Sequence, residues 1–190
     1  PSFTEVISAL STDGTRCDRL ASPRDVAFDD QGNLWVADSN NGRALRFPPD
    51  FPPFDAAAQV MQGQISCGVY HYLHVSATSF GRGHGHGAAV RRSPPLAGLG
   101  CFGDSPNHRI LCWRDVVAAR SGMPPADLVI GQQAFDTFLP NRPVRSASTL
   151  DHPMLFDFVD GEVPRLAVAD RNNHRVLGYR LATLKTGAAA

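Results

Sequence analysis

The sequence predicts an all-β chain: a β-propeller of about three four-stranded antiparallel blades, and so part of a ring. Three observations predict it. One phrase recurs, as Ala37-Asp38-Ser39-Asn40-Asn41-Gly42-Arg43-Ala44-Leu45, Gly103-Asp104-Ser105-Pro106-Asn107-His108-Arg109-Ile110-Leu111 and Ala169-Asp170-Arg171-Asn172-Asn173-His174-Arg175-Val176-Leu177. Its aspartates stand at 38, 104 and 170, so both gaps are 66 residues, and a fixed period of that size marks an array of like units. The runs flanking each phrase are short, alternate apolar with polar residues and are separated by turn-formers, which is the pattern of one-face-buried strands.

The first unit shows the elements in order. Leu20-Ala21-Ser22-Pro23-Arg24-Asp25-Val26-Ala27-Phe28-Asp29 reads as a first strand, ended by the turn signal Asp30-Gln31-Gly32-Asn33. Asn33-Leu34-Trp35-Val36-Ala37 reads as a second strand closed by Asp38, and Arg43-Ala44-Leu45-Arg46-Phe47 as a third. The Asn and Gly residues between them supply left-handed geometry for a tight antiparallel connection. Gln59 to Gln64 suggests a fourth strand, echoed by Asp127 to Gln132. The third unit repeats the first strand at Leu150 to Gly161, the second at Pro164 to Ala169 and the third at Arg175 to Tyr179. Four short antiparallel strands make a propeller blade. The units run over about 20–64, 86–132 and 150–190. Val26, Phe28, Leu34, Val36, Leu45, Leu166, Val168 and Leu177 are expected in the core between blades.

The second unit departs from this plan in its first half. Residues 65–102 lack the apolar alternation, and the phrase then resumes in register at Asp104. A degenerate blade with an irregular Gly- and Pro-containing loop and a pair of compensating shifts of reading frame both account for lost content with kept spacing. The segment is expected to be irregular.

The residues Leu20-x-x-Pro23-x-x-Val26-Ala27-Phe28-Asp29 and Gly32-Asn33-Leu34-Trp35-Val36-Ala37-Asp38-Ser39-Asn40-Asn41-Gly42-Arg43 resemble the NHL repeat of β-propellers. Asp127-Leu128-Val129-Ile130-Gly131-Gln132-Gln133-Ala134-Phe135 is similar to a segment of long-period bacterial NHL arrays. The resemblance is strong over 20–47 and 164–180, weaker over 104–135 and absent over about 65–102. It implies an exported bacterial protein, extracellular or periplasmic. It also implies that the turns 39–42, 105–108 and 171–174 share one face with the connections 65–93 and 133–149.

Length and charge set further bounds. The 190 residues hold just under three 66-residue units, whereas closed propellers have about four to eight blades. The chain is therefore expected to be a fragment of a larger propeller, or half of a ring completed by a second copy. Residues 1–8 suit an outer strand of another blade. Eighteen basic and eighteen acidic residues cancel, so nothing argues for a nucleic-acid surface. There is no apolar run of membrane-spanning length. Cys17, Cys67, Cys101 and Cys112 fit no zinc spacing, and their even number permits disulfides or four unpaired thiols.

A residue needed in every unit serves the unit. Asp38 with Asn41 and Arg43, Asp104 with Asn107 and Arg109, and Asp170 with Asn173 and Arg175 are therefore expected to be structural. Asp would accept turn N–H groups, Asn would sit in the left-handed region and Arg would pair with Asp. Candidate ligand contacts are the turn residues Asn40, Asn41, His108, Arg171, Asn172 and His174, since function on a rigid scaffold concentrates in loops. No residue is assigned a catalytic role and no metal or cofactor is expected. His84 and His86, with His71 and His74, are the one metal-like group, but glycines flank them and no carboxylate or cysteine completes a zinc or copper site. There is no Gly-x-Ser-x-Gly elbow and no paired-histidine metalloprotease motif, and Gly81 to Gly87 lacks the Lys-Ser/Thr of a phosphate loop. The reading is a binding or scaffold module that presents loops to a protein, peptide or glycan, with the remaining blades or a second copy as structural partners. The alternative is a propeller enzyme, a lyase or a calcium- or zinc-assisted lactonase, with its site at the central channel. Asp25, Asp29 and Asp157 are its visible carboxylates, and they fall mostly in repeat-equivalent strand or turn positions.

Overall fold

The computed structural model describes residues 20–49, 58, 60–63, 75–81, 87–94, 96–118 and 124–190. It is all-β, with three antiparallel sheets and, among the described residues, no helix long and apolar enough to cross a membrane. Residues 1–8, the four histidines at 71, 74, 84 and 86, and Cys17 and Cys67 lie outside the described residues.

The first sheet has β1 (Pro23–Phe28), β2 (Leu34–Asp38), β3 (Arg43–Phe47) and β4 (Val60–Gln62), in that spatial order. The second has β5 (Ala88–Val90), β6 (Gly100–Asp104), β7 (Arg109–Trp113) and β8 (Leu128–Ile130). The third has β9 (Pro153–Val159), β10 (Arg165–Asp170) and β11 (Arg175–Arg180). The 66-residue step carries register as well as sequence, because Asp38 pairs with Arg43, Asp104 with Arg109 and Asp170 with Arg175 across the hairpins. The first strands of successive sheets are neighbours, β1 beside β5 and β5 beside β9. The Ala88 N–H donates to Asp25 Oδ2 at 3.0 Å across the first of these junctions. The chain is thus a partial β-propeller.

Strand alternation gives each sheet two faces, and the faces interleave. Ala27, Trp35, Ala37 and Ala44 of the first sheet pack on Ala88, Phe102, Leu111 and Val129 of the second. Ala89, Cys101, Ile110, Cys112, Leu128 and Ile130, on the other face of the second sheet, pack on Phe156, Leu166, Val168 and Tyr179 of the third. Trp35 and Phe102 meet ring to ring at 5.3 Å, a tilted arrangement that adds to the area they bury.

Two expectations are corrected here. Residues 65–102 are not irregular throughout: β5 lies within them and β6 begins there. Sheet pairing runs through the backbone, so the register survives the loss of side-chain pattern. Gly100 takes the place that Leu34 holds in the first sheet, and the Val116 side chain fills the space where a Cβ on Gly100 would sit. Val26 and Phe28 are not core; they are 53% and 52% exposed. They lie opposite Val36 and Leu34, on the face of the first sheet turned away from the second. Leu34, Val36, Leu45, Leu166 and Val168 are buried, and Leu177 is half-buried against the cluster between the second and third sheets.

Candidate binding face and its buried supports

Each repeated phrase builds the same constellation. Asp38 Oδ2 accepts from Arg43 Nε at 2.7 Å and from Asn41 Nδ2 at 2.8 Å, while Oδ1 accepts the Ala21 N–H at 2.6 Å. Asp104 does the same with Arg109 Nε at 2.7 Å, Asn107 Nδ2 at 2.9 Å and the Gly81 N–H at 2.8 Å. Asp170 takes Arg175 Nε at 2.7 Å, Asn173 Nδ2 at 2.8 Å and the Asp151 N–H at 2.7 Å. The carboxylate therefore ties the segment ahead of a sheet's first strand to its second strand and to the hairpin beyond. The backbone donors are in that lead-in segment and not in the turn itself, which differs from the sequence expectation. The left-handed residue is also one place later than expected, at Gly42, His108 and His174, with φ of 59°, 53° and 53°. Asn is displaced from that position because its amide is needed against the Asp.

The arginine continues the chain of contacts. Arg109 Nη2 donates to the carbonyls of Ser76 at 3.0 Å and Ser79 at 2.9 Å, and its Nη1 donates to the Phe135 carbonyl. Arg175 Nη2 donates to the carbonyls of Ser146 and Thr149, both at 2.7 Å. In both units the guanidinium fork holds a four-residue serine-rich turn of the connection between sheets, Ser76-Ala77-Thr78-Ser79 or Ser146-Ala147-Ser148-Thr149. Sequence reasoning passed over this pair of turns, although their likeness is visible in the residues. The Asp38–Arg43 and Asp104–Arg109 side chains are wholly buried, whereas Arg175 keeps 24% of its surface exposed. Burial pushes the Asp38 carboxyl above the usual carboxylate range, opposed by the Ala21 N–H, the Arg43 charge and the Asn41 amide.

Above these buried supports lie the turn tips. Arg171, Asn172 and His174 are exposed, and Asn40 and His108 are half-buried. Asn41 is 1% exposed, so its side chain faces its own Asp38 and not solvent. Asn40 Nδ2 donates to Ser22 Oγ at 2.8 Å, and Asn172 Nδ2 to Asp151 Oδ1 at 3.1 Å. His108 Nδ1 lies 3.1 Å from both the His152 N–H and Asp151 Oδ1. A bare Nδ1 accepts from the first and an Nδ1 bearing hydrogen donates to the second, one at a time. His108 thereby links the turn of the second sheet to the lead-in of the third, and Ser105 Oγ reinforces that link by donating to the Pro153 carbonyl.

The connection 133–149 lies between those two turns. Gln132 Nε2 bridges the His108 carbonyl at 3.2 Å and the Leu139 carbonyl at 3.1 Å. Asn141 and Asn173 exchange amide hydrogen bonds of 3.0 and 2.9 Å. None of these contacts is local in sequence, so no spacing rule exposes them. Among the described residues, no three His, Cys, Asp or Glu side chains are grouped to hold a metal ion. Cys101 and Cys112, directly opposite on β6 and β7, form a disulfide.

A family model described as NHL repeat matches residues 20–47, the whole of β1 to β3. These residues are an NHL repeat. The chain thus carries an NHL-type propeller segment, in which the repeat phrase recurs at 66-residue steps. Among solved structures it is similar to Kuenenia stuttgartiensis hydrazine synthase, at 10% identity and a TM-score of 0.42, over 85% of this chain and 35% of that one. It is also similar to a structure described as streptogramin B lyase, at 12% identity and a TM-score of 0.32, over 93% of this chain and 58% of that one. The chain therefore spans about a third of the first and somewhat over half of the second. No curated protein sequence matches the chain.

Proposed function

We propose that this NHL propeller segment is a binding or scaffold module, presenting its turns and connecting loops on one face to a protein, peptide or glycan. The observation that carries the reading is the division of labour within the third phrase. Asp, Asn and Arg are consumed by internal hydrogen bonds, while the intervening Arg171, Asn172 and His174 stand exposed beside the loop 133–149. Polar side chains on turns held from beneath lose little freedom on binding. The reading assigns the face no metal and no cofactor. The propeller-enzyme alternative has no particular observation in its favour.

Two further parts belong to the proposal. The structural partners are further units of the same repeat, on the remaining blades of a longer chain or on a second copy. The setting is extracellular or periplasmic, and the Cys101–Cys112 disulfide supports this because such bonds persist in oxidising compartments.

The test is a peptide and glycan array probed with the folded protein and with the Arg171→Ala/His174→Ala variant. Specific signals that the variant loses, at an unchanged melting temperature, are expected. Uniformly blank arrays, or signals indifferent to the variant, contradict the reading.

A further inference from the structure

We infer that the connection between the second and third sheets is a docking surface for an acidic peptide segment that carries an apolar side chain. The inference rests on the binding-module reading and names the partner of one part of that face. Within seven residues this loop exposes Phe138, Leu139 and Val144, at 48%, 45% and 65%. Connecting loops are ordinarily polar, and an apolar cluster displayed on one marks an interaction site. Arg142 and Arg145 are exposed among them, and Arg171 is exposed on the adjoining turn, against the single exposed carboxylate of Asp136 at the far end of the loop.

The loop is not loosely attached. Gln132 holds the Leu139 carbonyl, Asn141 is locked to Asn173, and Arg175 grips the carbonyls of Ser146 and Thr149. These anchors are backbone and amide groups, and Arg142 and Arg145 remain exposed. Arginine is enriched at interface hot spots, and holding the loop in place cuts the entropy lost on binding, so two guanidinium groups displayed beside apolar side chains on an anchored loop suit an interface. Guanidinium groups pair carboxylates with two parallel hydrogen bonds, which sets the acidic character of the partner. An anionic membrane is the less favoured surface, because electrostatic recruitment to lipid uses clusters of about four to eight cations, and this chain has no net charge.

The test uses fluorescence anisotropy with a labelled peptide of alternating Glu, Asp, Phe and Leu, and with its amidated Gln/Asn counterpart as control. The whole chain should bind the acidic peptide in low salt and bind the control about tenfold or more weakly. Arg142→Glu/Arg145→Glu and Phe138→Ser/Val144→Ser should each weaken binding to a similar degree, with unchanged melting temperatures because all four side chains are exposed. Equal binding by parent and loop variants overturns the inference. So does binding to phosphatidylserine vesicles without binding to the peptide. Peptide binding lost in Arg171→Ala/His174→Ala but kept in both loop variants overturns the inference and leaves the binding-module reading standing, whereas a blank array removes that reading itself.

Discussion

A carboxylate needed in every unit acts on the unit, and the three repeated aspartates show what the act is. Each gathers one backbone N–H, one amide and one guanidinium, so three chain segments meet at one charge. Removing one member of a wholly buried pair leaves the other charge unpaired, at a cost of about 3–5 kcal/mol. Arg109→Met should therefore unfold the protein at markedly lower denaturant, and Arg175→Met should cost less because Arg175 is partly solvated. Urea titrations of both variants check the order. Tyr179 is the opposite case. Its hydroxyl is buried with no hydrogen-bond partner among the described residues, and burial, with the Asp170 charge, pushes its ionisation well above the ordinary value of 10.0. A raised value means that this contribution to stability is intact below the ordinary tyrosine range and is lost as pH climbs through the raised one. Tyr179→Phe should be neutral or stabilising by about 1 kcal/mol at pH 7, and should blunt alkaline unfolding. Thermal melts at pH 7 and in the alkaline range read both.

At the scale of the element, the hairpin that bears each phrase is the part that the sequence makes legible. Asp, turn, Arg and apolar alternation are local signals, so the sequence pattern places β2, β3, β10 and β11 to within one residue at each end. Strands β5 and β6 cannot, because Ala88, Ala89, Gly100 and Gly103 offer no alternation and only the 66-residue step places them. The Ser-rich turns escape for another reason. Ser76 precedes Arg109 by 33 residues and Ser146 precedes Arg175 by 29, so a fixed period does not align them. The disulfide depends on register: a separation of 11 says nothing until β6 and β7 are known to pair Cys101 with Cys112. Trp35 and Arg46 occupy the same two sites in the first sheet, where the guanidinium lies over the indole at 5.8 Å, and Ala167 and Gly178 occupy them in the third. Closing so short a loop stabilises by about 3 kcal/mol in the chain-entropy account. A reductant, or the Cys101→Ala/Cys112→Ala variant, should lower the melting temperature by several degrees.

For the whole molecule, the decisive feature is that alternation predicts two faces per sheet but not which face has a neighbour. Val26 and Phe28 were expected inside on the strength of alternation and are exposed. The third sheet shows the complement: Leu155, Val159 and Val176 are 57%, 52% and 74% exposed on its far face. Val176 stands where Ala44 and Ile110 stand in the first two sheets, and those are 1% and 0% exposed against the following sheet. The far face of the third sheet is therefore the same half-interface that this chain has already used twice, without an occupant among the described residues. The central claim is that such a face takes another unit of the same repeat. Light scattering on the 190-residue chain tests it most directly. Association above the 20.5 kDa of one chain, reversed by Leu155→Asp/Val176→Asp with the β-rich circular dichroism intact, is the predicted result. A well-folded species of 20.5 kDa at all concentrations, unaffected by those two substitutions, would contradict it.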